Sequence, residues 1–143
     1  MLGRKNYTQE ELDHAKTAVA TQLAAYHTLI EAVGSPTSDP NAASAVEVFE
    51  PLFFNHMTMV LDRYFVHRLR VVTGKDGNPL NEVELLTDSL MNNDGVLRGS
   101  SVVNFVPGES VLKLNIGDRI QLTAAEFERL ASAFFADIES KFL

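Results

Sequence analysis

The segment from residue 52 to residue 69 constrains this chain more than any other. Leu52, Phe53, Phe54, Met57, Met59, Val60, Leu61, Tyr64, Phe65, Val66 and Leu69 crowd into it. At about 100° per residue they cover more than one face of a helix. A helix that is apolar nearly all round runs through a core or meets another subunit. Phe53, Phe54, Met57 and Leu61 are therefore the candidate interface residues. Pro51 stands just before them, has no backbone N–H and clashes with the preceding turn. A break or kink is expected near Glu50, with the helix restarting from Pro51.

Two other helices announce their own starts. Thr8-Gln9-Glu10-Glu11 has the form of a capping box, in which hydroxyl and carboxylate each satisfy the other residue's backbone amide. Tyr7 and Leu12 stand at the positions of a hydrophobic staple. Leu12, Ala15, Val19, Leu23, Tyr26, Ile30 and Val33 then recur every three or four residues on one face. Gly34 is the expected stop and Pro36 a barrier beyond it. Thr123-Ala124-Ala125-Glu126 repeats the capping box, and Phe127, Leu130, Ala131, Phe134, Ile138 and Phe142 form its apolar stripe.

Asp39-Pro40 and Asn78-Pro79 both read as an N-cap followed by proline at the first helical position. Leu80, Val83, Leu86 and Leu90 give the face of the helix that follows Pro79. Asn92-Asn93-Asp94-Gly95 ends it.

After Gly95 the period changes from helical to alternating. Val102 to Val106 is β-prone, and Leu112, Leu114 and Ile116 alternate with polar neighbours. Ile120 and Leu122 do the same beyond Gly117-Asp118. The pattern predicts a β-hairpin with one wet face. A one-residue slip reverses the faces, so an odd connection of three or five residues is expected, pairing Leu114 with Ile120. The expected architecture is α+β: a bundle of four to five helices, a small antiparallel hairpin or three-stranded sheet near the C-terminal end, and a final helix. The 143 residues suit a single globular domain.

Composition narrows the chemistry. With no cysteine the chain has no disulfide, no thiolate nucleophile and no sulfur ligand for zinc. That fits a reducing compartment such as the cytoplasm. Arg63, His67 and Arg68 interrupt the most apolar region, which argues against a membrane span. The net charge of −7 argues against a globally nucleic-acid-binding surface. Residues 61–75 nevertheless carry Arg63, Arg68, Arg70 and Lys75 against Asp62 alone.

The best constellation for ligand binding is His56, Arg63, His67 and Arg70. On a continuous helix the first three fall within about 20° of one line, and Arg70 extends it. Two imidazoles and two guanidiniums in a stripe suit a phosphate or carboxylate, or acid–base work. His56 and His67 stand roughly 16 Å apart along the axis, too far to share a metal. Arg63-Tyr64-Phe65-Val66-His67 resembles the arginine–histidine motif of the helical HEPN ribonucleases, but its spacer is shorter than that motif's, and the chain is not assigned to that family. No phosphate loop, calcium loop, nucleophile elbow or cofactor signature is present.

Three functions follow, in order of expectation. The first is a non-enzymatic interaction module that self-associates or binds a protein partner. The second is contact with an anion or nucleic acid through Arg63, His67, Arg68, Arg70 and Lys75. The third is a histidine-dependent acid–base enzyme, which requires a concave pocket holding His56 or His67 beside a carboxylate.

Overall fold

A computed structural model describes residues 3–34 and 39–143. Its helices are α1 (Gln9–Val33), α2 (Pro40–Tyr64), α3 (Arg70–Thr73), α4 (Pro79–Asn92) and α5 (Ala124–Phe142). The capping chemistry sets most of these boundaries. Thr8 and Thr123 each form a complete capping box, with Glu11 and Glu126 respectively. Asp39 and Asn78 accept from amides in the first turns of α2 and α4, each with proline at the helix start. Pro36 lies outside the described residues.

α2 and α5 form the central pair; each packs against the other and against both α1 and α4. The buried apolar side chains join in one cluster. Along its axis Phe54 meets Phe127 at 5.4 Å between ring centroids, and Phe65 meets Phe134 at 5.9 Å. Tyr7 closes the lower end against Phe142 at 4.9 Å, while its hydroxyl donates to the Val66 carbonyl.

Two expectations about α2 are corrected. The helix runs unbroken through Pro51. Proline removes one intrahelical hydrogen bond, but Phe54, Met57 and Leu61 beyond it and the Glu50 contact at the start of α5 hold both halves in place. The helix also stops at Tyr64 instead of continuing to Leu69. The Arg68 side chain folds back to donate to the carbonyls of Asp62 and Phe65, and His67 adopts φ 62°. These contacts cap the helix end, where carbonyls lack intrahelical donors.

The larger correction concerns the expected hairpin. Among the described residues there is no strand and no sheet, only isolated bridges such as Val96 with Arg119. The alternation reported burial in part: Leu112, Ile120 and Leu122 are buried and Lys113 and Gln121 exposed, but Leu114 is only half-buried and Ile116 is exposed. It misidentified the hydrogen-bond partners. Lys113 sits at φ 57°, which breaks the extended run. The 115–120 turn pairs with residues 95–97, through Gly117 N to Leu97 O, Leu97 N to Asp118 O and Ile120 N to Gly95 O.

Several other backbone groups of this long coil go to helix side chains. Both carboxylate oxygens of Glu82 on α4 accept, from Val111 N at 2.8 Å and Leu112 N at 3.0 Å. Asn55 on α2 donates to Ile120 O at 2.8 Å and accepts from Leu122 N at 3.2 Å. An amide side chain thus takes the place of a neighbouring strand. Glu50 accepts from Ala124 N at 2.9 Å, and Ser89 accepts from Arg98 N. Buried backbone groups need partners but not sheet partners, and here α2 and α4 supply them.

Truncating Asn55→Ala leaves one backbone donor and one acceptor unpaired, and urea denaturation is expected to show a loss of about 2 to 3 kcal/mol. A loss below about 0.5 kcal/mol would contradict the clamp. Glu82 gives a pH test. Burial pushes its carboxyl above the ordinary value, and the two amides pull it back down. A carboxyl raised on folding lends stability that is fully present below its unfolded pKa and fades as pH rises through the folded value. The stability gap between the chain and Glu82→Gln should therefore narrow as pH rises above the ordinary glutamate value, about 4.3. A widening gap would show that the amides outweigh burial.

Candidate functional site

The end of α2 at Tyr64 decides the fate of the predicted ligand stripe. His56 and Arg63 lie on the helix and are exposed. His67 lies beyond it and Arg70 begins α3, so the helical line joining all four is not formed. The His56 ring nitrogen Nδ1 stands 2.9 Å from the Leu52 carbonyl of its own helix.

The basic segment is largely neutralised from within. Arg68 pairs with Asp62 at 2.8 Å, its side chain only 8% exposed, and stands over the Phe134 ring. Arg70 holds both oxygens of Glu84 at 2.7 and 2.8 Å and donates to Asn81 Oδ1 at 2.7 Å. An open cleft of about 340 Å³ does bring Arg63 and His67 together with Asp62 and Glu84. Both carboxylates there already serve arginines, so neither is a free base beside the imidazole. Arg63, His67 and Lys75 remain as exposed cationic or ionisable groups, Lys75 outside the cleft.

Of the four predicted interface residues, Phe54, Met57 and Leu61 are core residues of the chain itself. Phe53 differs. It is half-buried, stacks on Phe49 at 5.4 Å and lies parallel to Tyr26 at 6.2 Å. Burial, then the nearby Glu50 carboxylate, push the Tyr26 hydroxyl up to about 12.

This aromatic ladder leads to the surface that the sequence reading missed. Val48 is 67% exposed, Leu52 58%, Phe49 42% and Val60 41%. All four turn away from Phe54 and Leu61 by more than about 100° around the axis. On α1, Ala18, Gln22, Ala25 and Leu29 line the same outer side. Gln22, Ala25 and Leu29 face Phe49 and Phe53 across a shallow groove of about 180 Å³.

The face is also poor in charge, with Arg63 at its C-terminal end. No lysine or arginine occurs between Lys16 and Arg63. Of its five acidic residues four are turned elsewhere, and Glu47 stands at the margin in a cleft that Val48 and Leu52 also line. Glu50 is bound to the start of α5, Asp62 to Arg68, and Asp39 caps α2. Glu47 lines a cleft with Arg119, and Glu31 lies about 200° around α1 from Leu29. The signal was present in the sequence. Counting from Phe54 puts Val48, Leu52 and Val60 opposite the core face, so the all-round apolarity resolves into two separate faces.

Among the described residues no helix is long and apolar enough to cross a membrane. Comparison with protein-family models, curated proteins and solved structures finds no match to this chain.

Alanine substitutions separate the structural arginine from the exposed groups. Arg68→Ala leaves Asp62 and two helix-end carbonyls without their donor, and a loss of about 2 to 4 kcal/mol in chemical denaturation is expected. His56→Ala and Arg63→Ala should stay within about 0.5 kcal/mol of the parent. Equal losses at all three positions would contradict this division.

Proposed function

We propose that the chain is a non-enzymatic interaction module that docks a protein surface on the outer face of α1 and α2. The observation that carries this reading is the exposure of Val48, Phe49, Leu52 and Val60 on one continuous helix face. Contiguous apolar surface with charge depleted and aromatics present is the signature of the centre of a protein interface. Exposed aliphatic and aromatic side chains lend nothing to folding while they face water. Their grouping on one side of one helix gives them a common role.

Contact with an anion or nucleic acid through Arg63 and His67 is the second reading. It is supported by their shared cleft and weakened by the pairing of Arg68 with Asp62 and Arg70 with Glu84. The acid–base reading is weakened by the same two pairings.

A photo-crosslinking amino acid at Leu52, compared with one at Glu128 on α5, tests the proposal in cells that express the chain. A discrete crosslinked protein band is expected from position 52 and not from position 128. Equal or absent crosslinking at both positions would contradict it.

A further inference from the structure

The outer face of α2 carries a pattern that identifies its occupant. Ala45, Leu52 and Met59 are spaced by seven residues, and so are Phe49, His56 and Arg63. All six lie within the continuous helix Pro40–Tyr64. Interleaved by steps of three and four, they make the two rows of a coiled-coil seam. Two such seams packed antiparallel place a residue of one row against a residue of the other.

The result is self-complementary about the level of Phe54. Leu52 meets the copy's His56, Phe49 meets its Met59, and Val48 beside the seam meets its Val60. Arg63 meets Ala45, whose small side chain leaves room for the arginine stem while the guanidinium reaches water. Each pairing occurs twice, once in each direction, as a two-fold interface requires.

Charge points the same way. A chain of net charge −7 repels its own copies. The outer face of α1 and α2 lets two copies approach without setting acidic side chains against one another. A basic partner gains little there, because the one carboxylate at the margin of the face, Glu47, shares its cleft with Arg119, and Arg63 stands in the seam itself. Resting on the interaction-module reading, we infer that the occupant is a second copy of this chain, joined α2 to α2 in antiparallel register as a symmetric dimer.

The contact length from Ala45 to Arg63 is about 27 Å, and two helices side by side give a width of roughly 20 Å. That footprint lies at the small end of specific interfaces, so the dimer is a reversible one.

Sedimentation equilibrium of the full chain from about 1 to 300 µM reads this directly. A monomer–dimer equilibrium is expected, weakened at least about 30-fold more by Leu52→Glu than by Ser140→Glu, which adds the same charge at an exposed position of α5. Because the chain contains no cysteine, register is tested without background. Under mild oxidation, Leu52→Cys mixed with His56→Cys should give the mixed disulfide dimer faster than either gives its own. This second readout keeps the proposal testable if Leu52→Glu fails to fold. A monomer at the highest concentration, undiminished association of a folded Leu52→Glu, or preferential Leu52→Cys homodimers would overturn it. If the chain is monomeric yet position 52 still crosslinks a different protein, self-pairing fails and the interaction-module reading stands. If position 52 crosslinks nothing, both fail.

Discussion

The fold depends on α2 being buried along one face only. Phe54 and Leu61 are wholly enclosed and Met57 nearly so, between α1, α4 and α5. That face organises both the aromatic axis of the core and the polar contacts that hold the coil. Glu50 and Asn55 stand at its margins and reach the backbone at Ala124, Ile120 and Leu122. One helix therefore fixes the start of α5 and the last stretch of coil before it. Its opposite face is left largely open, with Val48 and Leu52 mostly exposed and only Phe49 stacked on Phe53.

The coil between α4 and α5 shows how a chain satisfies its backbone without regular structure. Apolar alternation is a statement about which side chains face a core, and at Leu112, Ile120 and Leu122 that statement held. It says nothing about where the amides go. Here the Glu82 carboxylate and the Asn55 amide act as partners, and both are polar residues on otherwise buried helix faces. Two polar side chains beside the apolar stripes of predicted helices, Glu82 buried and Asn55 half-buried in the fold, were the available hint, and a hairpin pattern outweighed them.

Helix starts were legible because capping is local. Thr8 with Glu11, Asp39 with Pro40, Asn78 with Pro79 and Thr123 with Glu126 all act within four residues. The end of α2 was not legible, because it depends on Arg68 folding back onto carbonyls that only the folded helix presents. The candidate stripe failed for the same reason: its line assumed a helix through His67. The proposed docking face was half legible. All-round apolarity pointed to α2, but Phe54, Met57 and Leu61 belong to its inner face and Val48, Phe49 and Leu52 to its outer.

The account rests on this division of labour between the two faces of α2, and neighbouring residues on that helix test it. The measurement is the unfolding free energy of Leu52→Ala and Phe54→Ala, taken at dilute concentration where the chain is monomeric. A loss of about 3 to 5 kcal/mol is predicted for Phe54→Ala and less than about 0.5 kcal/mol for Leu52→Ala. A loss above about 2 kcal/mol at Leu52 would mean that the outer face is already used within the monomer, and the docking surface would not exist.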